Sequence, residues 1–302
     1  MANLYPQTQE NFSQLKYAAD LVDASGVVEL VEKWRIEDGL QVGRGGRKPY
    51  VTIRTAIVLW VHMALTKRAQ LVARMAEVVS FGMKPYMRDF FSLPNEDVDL
   101  STVEGRMDYY DEWYHRIWRA LDRVRATMEP YPSVSRHGRH TVDEWLEFMD
   151  LFGLDPKKAS RKGYEPTEEE LLAEKRMERC DEFSNRLLWA TVEKFGDKLG
   201  TWNGDVAVDG TAFKVSAKGN PNKQDMLAGK VPGHRKVAST PTLGNYTKGR
   251  DDHNGDAKGV KGDNMWAGEA TFATMEGDGI GKEGGLPSLI LGMSFHRPGA
   301  KP

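Results

Sequence analysis

Gly204-Asp205-Val206-Ala207-Val208-Asp209-Gly210-Thr211-Ala212-Phe213-Lys214-Val215 is the stretch on which the reading of the fold turns. Its apolar and β-branched residues spell a short strand, and the pattern carries one carboxylate, Asp209, to the strand end before a Gly-Thr pair. Two further strand-like runs follow, Met265 to Met275 and Ser288 to Phe295. A carboxylate so placed has two readings. It can hold a metal ion, or it can be a turn residue, because Gly tolerates positive φ and Asp bonds its neighbouring backbone.

Upstream of this stretch the pattern changes. Residues 1 to about 200 carry helical periodicity with few strand signals, so the composition shift near Gly200 is the expected domain boundary and the fold class is α+β. Ala18 to Trp34 reads as one amphipathic helix with Ala19, Val22, Val27, Leu30, Val31 and Trp34 facing inward. Thr52 is positioned to cap a second helix through Ile57, Val58, Trp60, Val61, Ala64 and Leu65. Further helices fit Gln70 to Ser80, Ser101 to Thr127 and Thr141 to Leu151, with Pro130 and Pro132 closing the long middle one. A polar connector spans 153–166. Thr167-Glu168-Glu169-Glu170 then forms a capping-box pattern that opens a helix from Glu168 to about Phe195. Between Lys218 and Asp263 lies a Gly/Asn/Lys/Asp-rich stretch with little apolar content, longer than ordinary connections and expected to be an insertion.

Composition narrows the class. A chain of 302 residues, 40% hydrophobic and 28% charged, can bury a substantial core and is long enough for two units. It has no run of eighteen apolar residues, which speaks against a membrane-spanning helix, and its first residues lack the pattern of a secretory signal. Cys180 is the single cysteine, so neither an internal disulfide nor a cysteine zinc cluster can form. Together these features lead to an expected cytoplasmic location. The net charge of −2 means that nucleic-acid binding would have to come from local patches.

The run Ser184-Asn185-Arg186-Leu187-Leu188-Trp189-Ala190-Thr191, followed by Gly204 to Thr211, resembles the opening of the catalytic domain of bacterial DDE insertion-sequence transposases. Trp266-Ala267-Gly268-Glu269-Ala270-Thr271 and Leu289-Ile290-Leu291-Gly292-Met293-Ser294-Phe295-His296-Arg297-Pro298-Gly299 resemble the next two strands of those proteins, in the same order. The resemblance implies a helical DNA-binding region over 1–200. It implies the first part of an RNase H-like domain over 201–302, with a polar insertion over about 218–263. The activity implied is DNA transposition by phosphodiester cleavage and strand transfer, dependent on Mg²⁺ or Mn²⁺ held by three acids. By this resemblance Asp209 is the first acid, both catalytic and metal-binding. The second Asp and the Glu would lie on a fourth strand and a following helix, which the residues after Arg297 do not accommodate, so the chain is expected to be truncated and inactive alone. A non-catalytic DNA-binding or regulatory remnant is the alternative. The implied partner is double-stranded DNA at transposon ends, with a homo-oligomer left open.

Candidate DNA contacts sit in Gly43-Arg44-Gly45-Gly46-Arg47-Lys48-Pro49. Arg44, Arg47 and Lys48, with Arg54 a few residues on, could neutralise phosphates, while a solvated basic loop is the plain alternative. Arg116, Arg119, Arg123 and Arg125 lie at helical spacing beside Trp113, Tyr114 and Trp118, where the aromatics read as core and the arginines as partners of Asp108, Asp111, Glu112 and Asp122. Glu269 could be a second carboxylate near Asp209, or only the polar position of an alternating strand. His137 and His140 lack nearby acid or cysteine partners in sequence. Asp251-Asp252-His253 could bind a cation or be plain polar loop. Gly277-Asp278-Gly279-Ile280-Gly281 lacks the strand-before, helix-after context of a nucleotide loop.

Overall fold

The structure, a computed structural model, describes residues 9–40, 48–132, 140–152, 162–214, 220–221, 223–237, 243–248, 263–277, 279–283 and 285–296. It is a mixed α+β protein. The chain divides into two compact units, Met1–Met128 with Trp189–Lys194, and Glu129–Leu188 with Phe195–Pro302. The change in composition near Gly200 therefore falls inside the second unit. Among the described residues no helix is long and apolar enough to cross a membrane.

The first unit is helical. Helix α1 (Phe12–Ser25) starts where Asn11 accepts the Ser13 N–H at 2.9 Å. The single helix expected over Ala18 to Trp34 is broken: Gly26 adopts φ +65°, ending α1 and starting α2 (Val27–Glu37). A left-handed residue cannot continue a right-handed helix, and glycine takes that conformation without a Cβ clash. Helix α3 (Ile53–Leu65) is capped by Thr52, as its sequence implied, through the Thr55 N–H at 3.0 Å. Helix α4 (Val72–Glu77) passes into one π-helical turn over Val78–Gly82, where the Met83 N–H reaches the Val78 carbonyl at 2.9 Å. After α5 (Pro85–Phe90), α6 (Val103–Arg125) is capped by Thr102 at the Gly105 N–H, 3.0 Å away. Gly105 is obligatory there, since a Cβ would lie 2.2 Å from the Asp99 carbonyl oxygen. Leu15, Val22, Val31, Ile57, Leu59, Met63, Met75, Trp113 and Ile117 form the buried centre.

Two charged arrangements fasten this unit. Arg68 grips Glu10 with two hydrogen bonds of 2.7 and 2.8 Å, and the fully buried His62 meets the same carboxylate at 2.9 Å. Arg116 binds Glu96 at 2.9 and 3.0 Å and stacks on the rings of Tyr50 and Trp113.

In the second unit, β1 (His140–Thr141) precedes α7 (Val142–Leu151), whose capping box joins Thr141 and Glu144. Helix α8 (Glu168–Glu193) opens on the expected reciprocal pair, Thr167 accepting the Glu170 N–H at 3.2 Å and Glu170 accepting the Thr167 N–H at 3.0 Å. A 3₁₀ segment (Gly196–Thr201) leads to β2 (Val206–Lys214). The polar stretch 218–263 is not featureless where described. It contains α9 (Lys223–Leu227), β3 (Lys236–Val237) and β4 (Gly244–Lys248). Strand β3 pairs with β1, and Met226, Val231 and Val237 pack on Val142, Trp145 and Met149 of α7. Those few apolar residues were too sparse to show a periodicity, yet they suffice to bury one small cluster.

Strand β5 (Asp263–Met275) is the axis of the main sheet, and every pairing with it is antiparallel. Along one edge lies β2, with Val206 opposite Met275 and Lys214 opposite Ala267. Along the other lie β4, against the start of β5, and β6 (Ile290–His296), against its end. The outer edge of β6 is capped by α8: Asn185 accepts the Met293 N–H at 2.7 Å, and Asp181 accepts the Phe295 N–H at 3.1 Å and the Ser294 hydroxyl at 2.6 Å. Side-chain oxygens thus satisfy strand N–H groups that would otherwise face outward unpaired.

Candidate functional site

The approach to Asp209 is built by a small polar turn. Gly204, at φ +93°, bends the chain into β2. The Trp202 indole N–H donates to the carbonyls of Asp205 and Glu276, both at 3.0 Å, and Asn203 accepts the Asp205 N–H at 3.2 Å while donating to its carboxylate at 2.7 Å. The Glu276 N–H donates to the Asp205 carbonyl at 2.9 Å. The turn therefore ties the start of β2 to the end of β5 and fixes their register.

Asp209 lies in the middle of β2, not at its end, because Gly210 and Thr211 continue the ladder opposite Thr271 and Ala270. Its own partner across the ladder is Phe272. Its residue is exposed, and no hydrogen bond or ion pair engages it among the described residues. Side chains alternate along a strand, so Ala207, Asp209, Thr211 and Phe213 share one face with Phe272 and with Phe295 of β6. On this face Phe213 and Phe295 meet edge to face with centroids 5.9 Å apart. Phe213 lies over Gly268, where a Cβ would come within 2.3 Å of its ring.

Glu269 belongs to the opposite face. It pairs with Ala212, three positions from Asp209, and odd spacing in a strand reverses the side. There it joins His296, whose Nδ1 is 3.7 Å from Oε2 of Glu269 and whose Nε2 is 2.8 Å from the Thr271 hydroxyl. The sheet itself thus separates Glu269 from Asp209, and the carboxylate pair entertained from sequence does not form. Among the described residues no group of three or more His, Cys, Asp or Glu is arranged to hold a metal ion. One exposed carboxylate does not by itself fit the requirement of a two-metal phosphodiester site.

Of the basic candidates, Arg44 and Arg47 lie outside the described residues, and Lys48 is exposed. Arg54 is committed elsewhere. Its guanidinium clasps Asp23 of α1 through two hydrogen bonds of 2.6 Å, which raise its pKa above the ordinary arginine value. That pairing spans thirty-one positions of sequence and carries no local signal. Arg116 and Arg125 pair with Glu112 and Asp122, as helical spacing implied. His137 and Asp251-Asp252-His253 lie outside the described residues, while His140 sits 3.8 Å from Glu144. Cys180 is largely covered, and burial, with Asp181 adding to it, pushes its thiol pKa up, so it remains a protonated helix-face residue. The described residues around Gly277 form turns, the Ile280 N–H reaching the Gly277 carbonyl at 3.3 Å.

No protein-family model matches the chain, and no curated protein or solved structure matches it either.

Proposed function

We propose that the chain is a transposase-derived protein that binds double-stranded DNA, with a second unit built on the leading strands of an RNase H-like sheet. The observation that carries this reading is the order of three antiparallel strands. Strand β2 holds the exposed Asp209, β5 is central, and β6 flanks it on the far side, which is the succession that the resemblance implies. Mg²⁺ or Mn²⁺, cleavage and strand transfer belong to this reading as expectations, since they call for further carboxylates beside Asp209. A non-catalytic remnant that occupies transposon ends is the second reading. It is favoured by Glu269, which faces away from Asp209 and is engaged with His296.

Duplex binding followed by fluorescence anisotropy across a salt series tests the shared part. The expected result is a log-log slope of about −0.9 per phosphate contacted. Absence of salt-sensitive duplex affinity would sink both readings. Asp209→Asn is expected to leave that binding unchanged, and duplex cleavage that Asp209→Asn abolishes would decide for the catalytic reading over the remnant.

A further inference from the structure

Helix α6 carries two apolar stripes. One is buried, through Tyr109, Trp113, Ile117, Ala120 and Val124. The other runs along Val103, Met107, Tyr110, Tyr114 and Trp118, at the three- and four-residue spacing that keeps side chains on one side of a helix. Val103 is 44% exposed, Met107 52% and Trp118 46%. Tyr110 and Tyr114 are half-buried between them, with ring centroids 6.4 Å apart. The sequence reads Trp118 as core beside Trp113, but of the two only Trp113 is buried. A surface helix ordinarily turns polar residues outward, and the apolar side chains it does expose are scattered singly. A continuous stripe over about four turns is instead the mark of an interaction surface.

The order of the stripe decides what fits it. Val103 and Trp118 lie equally far from the point between Tyr110 and Asp111, and so do Met107 and Tyr114. A second α6 running antiparallel therefore sets Val103 against Trp118 and Met107 against Tyr114 twice over, a slender side chain against an aromatic ring each time. Charge follows the same polarity. Beside the stripe, the N-terminal half of α6 exposes Glu104, Asp108 and Asp111, whereas the C-terminal half exposes His115 and Arg119, and Asp122 is paired with Arg125. An antiparallel pair brings Glu104 and Asp108 of each copy alongside Arg119 and His115 of the other. A parallel pair would set acid beside acid.

We propose that this stripe is a homodimer interface, in which two copies of the chain pack α6 antiparallel about a two-fold axis passing between Tyr110 and Asp111. The proposal is independent of the DNA-binding reading. A single helix pair buries less than the ~1,600 Å² of a standard interface, so the association is weak and reversible. The two Asp111 carboxylates meet near the axis and oppose it.

The experiment joins sedimentation equilibrium of the full-length chain with cysteine cross-linking in a Cys180→Ser background. The unaltered chain is expected to form dimers as concentration rises. Met107→Glu, at an exposed position, is expected to weaken them at least about tenfold by placing a charge in the apolar contact while leaving the circular dichroism of the monomer unchanged. Asp111→Asn is expected to tighten them about threefold by removing the repulsion at the axis. On mild oxidation Asp111→Cys is expected to give a disulfide-linked dimer. Val103→Cys alone is expected to give none, because its two copies lie about 22 Å apart along the helices, whereas Val103→Cys combined with Trp118→Cys restores the cross-link. A chain that stays monomeric at its highest soluble concentration overturns the proposal. So does a dimer that Met107→Glu leaves intact, or one that cross-links through Val103→Cys alone.

Discussion

Glu10 shows how much one side chain can hold. Only 6% of its side chain is exposed, and burial alone would raise its pKa, yet hydrogen bonds from His62 and Arg68 with their charges outweigh that and hold it at about 2, against an ordinary 4.5. A carboxylate depressed in the folded state stabilises it above the unfolded pKa and ceases to do so as pH falls through the folded one. The contribution is therefore full above about pH 4.5 and fades toward about pH 2. Its size is about 3 kcal/mol at neutral pH. Glu10→Gln is expected to lower the unfolding free energy by that order at neutral pH. Urea titrations at several pH values check this, with the two proteins converging in acid. Equal differences at every pH would show that the carboxylate charge is not what matters.

At the scale of elements, α8 and β6 are joined by side chain to backbone rather than by backbone ladder. Asp181 serves both the Phe295 N–H and the Ser294 hydroxyl, so Asp181→Ala removes two acceptors at once. The expected cost is about 1–3 kcal/mol, together with faster amide exchange at Phe295 while the central pairing of β2 with β5 stays protected. Uniform exchange throughout the sheet would contradict this role. Two helix starts were legible because a cap is a local matter: Thr52 and Thr167 each bond an N–H three residues ahead, whereas the start of α1 at Phe12 lies six residues before the Ala18 read from the apolar pattern. The break at Gly26 was not legible, because a glycine within an unbroken apolar periodicity reads equally as helix interior. Candidate residues fared by the same physics. The strand carrying Asp209 could be read from its alternation, but the face that Glu269 occupies depends on register with a partner some sixty residues away. The clasp of Arg54 on Asp23 is equally non-local.

On the scale of the whole molecule, the sheet keeps one side unprotected. Among the described residues, no strand pairs with the outer edge of β2, and Val208 on that strand is 68% exposed. A nine-residue edge without proline or bulge is a template for intermolecular pairing. Val208→Lys is expected to reduce concentration-dependent self-association in sedimentation velocity without lowering the melting temperature, as an exposed lysine does on natural edge strands. Self-association that is unchanged would place the sticky surface elsewhere. The pairing of β2 with β5 also has a temporal side. Lys214 finds Ala267 only after the whole intervening stretch has been made, and β6 must follow before α8 can cap it. Loop closure of that length is an entropic toll, which the first unit also meets where Arg68 reaches Glu10 and Arg123 reaches Val51. During synthesis Asn185 and Asp181 wait longest, for partners 108 and 114 positions further on, and the interval in which a ribosome-bound chain is most exposed to misassembly belongs to the sheet.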